Sequence, residues 1–208
     1  GLILRNLCIL RAGIPLIEVD HAISAGEVLT VMGPSGVGKS TLLAYITGTL
    51  APTFKGMGQV LLDGVDITTK PPHARRIGIL FQDDLLFPHM SVGANLAFGM
   101  PPGGGKAARR AQVEDALGDV GLTGFADRDP ATLSGGQKAR LSLLLATIDA
   151  PHMLILDEPT NHLDIESREA PVEALTTYTG AVILVSHDMH LLSMVADRLW
   201  LVKDGPVE

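Results

Sequence analysis

The chain has 208 residues, of which 46% are hydrophobic and 4% aromatic, and its formal net charge is −7. This length suits one domain, and the acidic balance disfavours nucleic acid as a partner. The single cysteine, Cys8, excludes a disulfide within the chain and a zinc site made of several thiolates. No apolar run approaches the length of a membrane span, so we expect no membrane insertion by the chain itself.

Short apolar runs predict β-strands that alternate with segments of helical pattern. The strands are predicted at 2–10, 27–33, 59–64, 77–82, 153–158, 181–186 and 198–205. The helices are predicted at about 39–48, 92–98, 107–120, 135–148, 165–178 and 189–196. This alternation is typical of an α/β fold with a mainly parallel sheet, and the turn at 64–66 indicates an antiparallel β flank.

Residues 83–132 contain helical patterns and no convincing strand. We therefore expect a single domain over 1–208, in which 1–82 and 133–208 form the α/β core and about 83–132 form an inserted helical lobe. Pro171 lies inside the predicted helix 165–178. Either that helix begins later, with Pro171 in its first turn, or it is kinked there.

A glycine-rich loop, GPSGVGKST (33–41), follows an apolar strand and opens a helix. It has the spacing G-x-x-x-x-G-K-[ST] of a phosphate-binding loop. Glycine permits backbone conformations in which successive N–H groups converge on phosphate oxygens, and the positive end of the helix adds to the attraction. The loop predicts binding of a nucleoside triphosphate, with Lys39 near the terminal phosphates and the Ser40 hydroxyl on Mg²⁺.

Two carboxylates, Asp157 and Glu158, end the apolar strand MLILDE (153–158). A carboxylate at the tip of a strand beside the phosphate loop can hold Mg²⁺, and we assign this role to Asp157. Glu158 would then face the space beyond the γ-phosphate, as the candidate general base for an attacking water. In isolation, an Asp-Glu pair is also typical of a solvated strand end.

Two more predicted strands end in polar residues that suit the same site. Gln82 ends IGILFQ, and its amide can reach Mg²⁺ or the attacking water, although a polar residue leaving a strand is an ordinary alternative. His187 follows AVILVS and can contact the γ-phosphate or the water. We expect the remaining histidines to serve surface or packing roles, with His162 as a partial exception because it lies next to the predicted site in TNHLD.

A second glycine motif, LSGGQ (133–137), opens another apolar helix about 95 residues after the first. The N–H groups at the start of such a helix can also bind phosphate. One chain therefore carries two candidate phosphate sites.

These motifs, in this order, resemble the nucleotide-binding domain of ABC ATPases over about residues 2–205. The resemblance implies that Gln82 is the Q-loop residue, that Leu154–Asp157 is Walker B, and that Asp164 belongs to the D-loop. It implies catalytic roles for Lys39, Gln82, Glu158 and His187, and metal ligation by Ser40, Gln82 and Asp157, with ATP and Mg²⁺ as cofactors. The nucleotide-binding residues that it implies are Gly33, Pro34, Ser35, Gly36, Val37, Gly38, Lys39, Ser40 and Thr41.

The resemblance also gives the second glycine motif a role. The resemblance implies that Gly33–Thr41 is Walker A and that Leu133–Gln137 is the signature motif. In this family, the signature motif of one subunit contacts ATP held by Walker A of another subunit in a head-to-tail dimer. The residues so implied are Ser134, Gly135, Gly136 and Gln137. The expected partner is a second copy of the chain or a homologous ATPase domain.

Residues 2–132 look like the ATP-binding subunit of a bacterial importer. This implies a cytoplasmic subunit on the inner face of the membrane, with a transmembrane permease docked near Gln82–Pro88. From residue 133 onward, the sequence resembles soluble ABC-F proteins that act on ribosomes, as in the segment LILDEPTNHLDIESREA. The alternatives are therefore an ABC-F-like ATPase or fragment, or a chimeric, nucleotide-dependent dimerisation module joined near 130–150.

One feature of the family is missing. An aromatic residue that stacks on adenine is normally found near the position of Arg11, yet no aromatic precedes Tyr45. Arg11 or Ile14 is left as the candidate to cover the base.

Overall fold

The computed structural model describes residues 1–81, 86–161, 163–164, 166–202 and 205–206. Within these residues, the strands form two five-stranded sheets. The strands are β1 (Leu2–Arg11), β2 (Ile14–Ile23), β3 (Val28–Met32), β4 (Phe54–Leu62), β5 (Val65–Asp66), β6 (Ile77–Leu80), β7 (Met153–Asp157), β8 (Ala181–Val185), β9 (Arg198–Leu201) and β10 (Gly205–Pro206).

One sheet is parallel and has the order β6-β7-β8-β3-β9. The other has the order β10-β2-β1-β4-β5 and is antiparallel except where β10 meets β2. The α-helices are α1 (Lys39–Thr47), α2 (Val92–Gly99), α3 (Lys106–Asp119), α4 (Gly135–Thr147), α5 (Glu169–Thr177) and α6 (Met189–Val195). This α/β architecture, with its parallel sheet and antiparallel flank, confirms the predicted fold class.

The parallel sheet lies between two apolar layers, which explains why its strands are apolar on both faces. On one face, Ile155 of β7 and Leu42 of α1 belong to a core that extends to the antiparallel sheet. On the other face, Leu154 packs with Leu175 of α5 in a second core. The strands β3, β7 and β8 all point the same way, so the segments that follow them meet at one edge of the sheet.

Between β6 and β7, the described residues form helices with an apolar core of their own. Leu96 of α2 and Leu117 of α3 are fully buried there, together with Leu141 of α4. The helices α2 and α3 fall within the range 83–132 that was predicted as a helical lobe, whereas α4 falls in the part predicted as α/β core. The exact limits at 83 and 132 stay a prediction, because residues 82–85 lie outside those that the structure describes.

Two strand predictions were wrong, and both errors have the same cause. No strand was predicted over β2, and β4 begins at Phe54 rather than at 59. In each strand, inward apolar residues alternate with exposed ones, as expected for a sheet with one wet face. Such strands lack the continuous apolar run by which the others were recognised.

Pro171 lies near the start of its helix. The helix α5 begins at Glu169, so Pro171 is its third residue and lies in the first turn. A backbone N–H in the first turn has no partner within the helix, and the ring of proline therefore removes nothing there. The structure therefore has the expected arrangement in which the helix begins later and Pro171 lies in its first turn.

The buried residue Arg75 fixes the far end of α1. Its guanidinium donates hydrogen bonds to the carbonyls of Tyr45 and Ile46 in the last turn of α1, and to those of Thr68 and Lys70. A cation at this end of a helix satisfies free carbonyls and complements the helix dipole. Burial lowers the pKa of Arg75. The C-terminal end of the helix that follows the phosphate loop is thus anchored by a buried side chain.

Candidate nucleotide-binding and catalytic site

The loop between β3 and α1 has a backbone that requires glycine. Gly33 and Gly38 have φ angles of 154° and 102°. A Cβ on Gly33 would lie 2.3 Å from the carbonyl oxygen of Val202, and one on Gly38 would lie 2.8 Å from Ile17. The loop is therefore pressed against strand β2 and the residue that follows β9, where only glycine fits at these two positions.

Lys39, the first residue of α1, folds back over this loop. Its ammonium donates hydrogen bonds of 2.5 Å to the Gly33 carbonyl and 2.9 Å to the Pro34 carbonyl. The positive charge is thereby held at the mouth of the loop, where phosphate oxygens would meet it.

An open cleft of about 510 Å³ brings most of the predicted site residues together. Its lining consists of Ser35, Gly36, Gly38, Lys39, Ser40, Thr41, Leu43, Asp157, Glu158, Asn161, Val185 and His187. Three of the predicted nucleotide-binding residues are absent from the lining. Gly33 and Pro34 form the base of the loop, and Val37 packs against the core.

Asp157 ends β7, and it lines the cleft together with Ser40 at the start of α1. Both also line a smaller cavity of about 100 Å³ behind the cleft. Burial raises the pKa of Asp157, and the positive charge of Lys39 opposes this rise. A bound cation would act in the same direction as Lys39, because it favours the charged carboxylate.

A hydroxyl and a carboxylate fit Mg²⁺ when phosphate oxygens and water complete its shell. In the described part of the chain, no cluster of three or more His, Cys, Asp or Glu is suited to hold a metal through protein ligands alone. Gln82, the third expected ligand, lies outside the described residues.

Glu158 and His187 face each other across adjacent strands. The Glu158 amide donates a 2.7 Å hydrogen bond to the Val185 carbonyl, and the His187 amide lies 3.4 Å from the Glu158 carboxylate. Glu158 has a φ of 51°, which is uncommon for a residue with a side chain and is frequent at functional sites. Both side chains reach the cleft.

The signature motif lies away from this cleft. Ser134 caps α4 by accepting a 3.3 Å hydrogen bond from the Gln137 amide, and the Gln137 side chain accepts one of 3.0 Å from the Ser134 amide. This reciprocal capping box leaves Ser134 exposed at the start of the helix. The chain thus presents two separate glycine-rich surfaces.

Asp164, which the family resemblance assigns to the D-loop, contacts the segment that packs on the helix of the second glycine motif. Its carboxylate accepts a 2.8 Å hydrogen bond from the Ser167 amide. Hydrogen bonds from the Ser167 side chain and amide lower the pKa of Asp164. Ser167 itself packs against Gly136, where a Cβ would lie 2.3 Å from the Ser167 hydroxyl.

Sequence reasoning missed two features of the site. Asn161 lines the cleft because the chain turns after β7. In this turn, the backbone N–H of Asn161 donates a 3.0 Å hydrogen bond to the backbone carbonyl of Glu158. Asp188 and Arg168 form an ion pair directly beside His187. The only local signal for Asn161 is its distance of three residues from Glu158, and the ion pair has no local signal.

Tyr45, the first aromatic of the chain, does not act as the missing adenine contact. Its hydroxyl donates to the Gly58 carbonyl at 3.0 Å, and its ring covers Gly56. Ile14 is exposed at the start of β2, and Leu16 on the same strand packs near Gly38 of the phosphate loop.

A glycine loop between a parallel strand and a helix, with a lysine, a serine and two carboxylates around one cleft, defines a P-loop nucleoside triphosphatase. The model of the ABC transporter family matches residues 16–161. The chain therefore belongs to the ABC transporter family and is one of its ATP-binding ATPase domains.

Several known proteins are similar over nearly the whole chain. The uncharacterized ABC transporter ATP-binding protein YnjD of Escherichia coli K12 is 44% identical over 181 residues, which cover 84% of this chain and 82% of YnjD. The spermidine/putrescine import ATP-binding protein PotA 1 of Pseudomonas aeruginosa is 40% identical, covering 94% and 54%. The molybdenum import ATP-binding protein ModC of Mycobacterium tuberculosis is 40% identical, covering 92% and 55%. The chain thus spans about half the length of these two importer proteins.

A solved structure supports the same fold. The ATP-binding cassette MJ0796, in a dimeric post-hydrolysis state bound to ADP and Pi, has a TM-score of 0.81 and 29% sequence identity. The match covers 100% of this chain and 97% of that one.

The similarity to importer proteins extends across residues 130–150, where the sequence had suggested a possible junction. PotA 1 aligns over 94% of the chain, so the alignment runs through residues 130–150 and into the part that resembled ABC-F proteins. The idea of a chimera gains no support from these relatives.

Within the described residues, no helix combines the length and apolar character needed to cross a membrane.

Proposed function

We propose that the chain is the ATP-hydrolysing subunit of an ABC importer, acting as a head-to-tail dimer on the cytoplasmic face of a membrane permease. The observation that carries this proposal is the single cleft shared by Lys39, Ser40, Asp157, Glu158 and His187. The importer relatives support the direction of transport, since their names describe import ATP-binding proteins.

ATP binding would use the loop and the first turn of α1. The N–H groups of the loop and the helix N-terminus would receive the phosphates, and the Lys39 ammonium would leave its loop carbonyls for the terminal phosphate oxygens. Ile14 is our candidate for the base, because it is exposed at the start of β2, the strand whose Leu16 and Ile17 approach the phosphate loop.

Ser40 and Asp157 would hold Mg²⁺, directly or through water. The ion would supply charge neutralisation between the terminal phosphates. The chain's own contribution is to hold a hydroxyl and a carboxylate at the same corner of the cleft.

Hydrolysis would use the pair at the far side of the cleft. Glu158 would accept a proton from the water that attacks the γ-phosphorus, while the bond to the bridging oxygen breaks and ADP leaves. His187, beside Glu158, would contact the γ-phosphate or the water and so help to align them.

The signature motif would complete the site of a second copy. Ser134 lies at an exposed helix start and not in the chain's own cleft, as a donor in trans requires. The dimeric state named for the ATP-binding cassette MJ0796 supports such an assembly.

A groove between the parallel sheet and the helical region is the proposed permease dock. It has a volume of about 330 Å³, and Phe81, Leu86 and Leu145 line it. Beside it, the rings of Phe87 and Phe98 meet edge to face at 5.1 Å, and Phe98 is 70% exposed. The lining of the groove also includes Arg76 and Asp149, and a groove with both apolar and charged side chains suits an amphipathic helix of a membrane subunit. Of the expected docking segment Gln82–Pro88, residues 82–85 lie outside the described part.

Co-expression with a candidate importer permease tests this proposal. Phe98→Asp should abolish co-purification in detergent while ATP binding by the free chain is retained. Met194→Asp is a matched control, because Met194 is also an exposed helix residue, at 58%, and lies on α6. Equal recovery of the permease with both variants would contradict the proposed dock.

A further inference from the structure

Asp188, the residue after His187, gathers contacts from three separate segments. It caps α6 by accepting hydrogen bonds from the amides of His190 at 3.0 Å and Leu191 at 3.2 Å. It also accepts from the side chain of buried Thr160 in the turn after Glu158, and pairs with Arg168 at 3.2 Å. Its side chain is only 12% exposed.

These contacts exceed what a helix cap needs. Two amides satisfy the capping function of a carboxylate, and the Thr160 hydroxyl and the Arg168 guanidinium come in addition. Burial alone would raise the pKa of Asp188. The Leu191 amide, Thr160, the His190 amide and Arg168 together lower it instead. The carboxylate is therefore charged and fully engaged.

Arg168 joins this carboxylate to the D-loop. Its guanidinium reaches Asp188, and its Nε lies 3.4 Å from the Leu163 carbonyl. The preceding residue, Ser167, is bound to Asp164 and packs on Gly136 of the signature helix. One short segment therefore touches the signature helix through Ser167 and the neighbour of His187 through Arg168.

We propose that Arg168 and Asp188 are a positioning pair. The pair holds His187 at its position beside Glu158 and couples this position to the signature helix. The Thr160 side chain links the turn after Glu158 to the Asp188 carboxylate, and the Arg168 guanidinium links the D-loop segment to the same carboxylate. Asp188 directly follows His187 in the chain. The inference rests on the proposed function, because it assigns His187 a part in ATP hydrolysis.

Three variants test the pair through the ATPase rate. Arg168→Gln removes the charge and should lower kcat by about 10-fold to 100-fold, since small displacements of catalytic groups have effects of this size. The Kd for ATP should stay within about twofold, because neither residue lines the cleft. Arg168→Lys keeps the charge and should recover part of kcat. Asp188→Asn keeps a capping side chain but loses the charge, and should behave like Arg168→Gln.

The chain offers a matched control in the ion pair of Arg198 and Glu27. It has a distance of 3.1 Å and side-chain exposures of 45% and 16%, against 3.2 Å, 40% and 12% for Arg168 and Asp188. Arg198→Gln should leave kcat unchanged. An equal loss of kcat in Arg198→Gln and Arg168→Gln would overturn the proposal, because the effect would then be general destabilisation.

A double mutant separates positioning from stability. If Arg168 acts through His187, Arg168→Gln should lower kcat in the wild-type background and change it less than twofold in a His187→Ala background. Multiplicative losses in the double mutant would overturn the proposal. The His187→Ala variant alone also separates the two levels of inference: if it hydrolyses ATP as fast as wild type, the proposed role of His187 fails, whatever Arg168 does.

Discussion

The carboxylate of Glu158 lies 3.7 Å from the imidazole Nε2 of His187. Their strands, β7 and β8, are adjacent and parallel, and Asp157 is paired with Val185 in the ladder. Each strand therefore delivers one polar side chain to the same point beyond the phosphate loop. Both side chains line the cleft that begins at this loop.

The first prediction concerns Lys39. Lys39→Ala should weaken ATP binding by about tenfold or more, because it removes charged hydrogen bonds to the phosphates. Titration calorimetry with Mg-ATP measures the change. Lys106→Ala is the control, since Lys106 is an exposed lysine that starts α3. Equal affinities for the two variants would remove Lys39 from the site.

The second prediction concerns the contact between the signature helix and the D-loop segment. Gly136→Ala would place a Cβ 2.3 Å from the Ser167 hydroxyl and 2.9 Å from the Ser167 Cβ, so one segment must move. We expect a lower melting temperature and slower ATP hydrolysis, with recovery in the Gly136→Ala/Ser167→Gly double variant.

Gly118→Ala is the control for this substitution. Gly118 also lies in a helix, and its nearest neighbour would be 3.7 Å from the new Cβ. It should stabilise the protein by up to about 1 kcal/mol, the usual gain in helix propensity. A Gly136→Ala variant as stable and active as Gly118→Ala would contradict the contact.

The third prediction follows from the position of Pro171 in the first turn of α5. Pro171→Ala should lower stability by roughly 0.4–1 kcal/mol, because the unfolded chain gains freedom and the helix gains no hydrogen bond that it lacked. Glu173→Pro, two residues further on at an exposed position, should cost about 3 kcal/mol or more. Thermal or urea unfolding measures both. A large gain in stability from Pro171→Ala would indicate a strained helix instead.

The fourth prediction concerns pH. The pKa of Asp188 is lowered in the folded protein, so its stabilising effect is complete above the unfolded value of about 3.9 and is lost as pH falls through the folded value. The wild-type melting temperature should therefore fall more steeply than that of Asp188→Asn between about pH 5 and pH 2. Parallel curves for the two proteins would show that Asp188 contributes nothing to the acid transition.

Much of this fold could be predicted from local pattern. Strands such as β7 and β8 are continuous apolar runs. Both ends of the predicted helices lie within about two residues of the observed ends, except that α5 begins at Glu169, four residues later than predicted. The phosphate loop is local as well, since glycine, lysine and serine act within nine residues of sequence. Glu158 and His187 could be selected because each follows a core strand that leads to the same edge.

The remaining features depend on contacts that the sequence does not encode locally. The strand β2 alternates polar and apolar residues because one face is wet, and Asn161 reaches the cleft only through the turn after Glu158. Arg168 and Asp188 are 20 residues apart and meet through the packing of the D-loop segment on α6. The role of the signature motif came from the family resemblance, because its ATP belongs to another subunit.

The central claim is that two copies share their ATP sites, and Glu158→Gln tests it most directly. The substitution removes the proton acceptor but keeps the size of the side chain, so ATP should bind and persist. Light scattering of this variant with Mg-ATP should give twice the mass of a single chain, and adding Ser134→Arg should return it to one chain. A Glu158→Gln protein that binds ATP, measured by calorimetry, and keeps the mass of one chain would contradict the account.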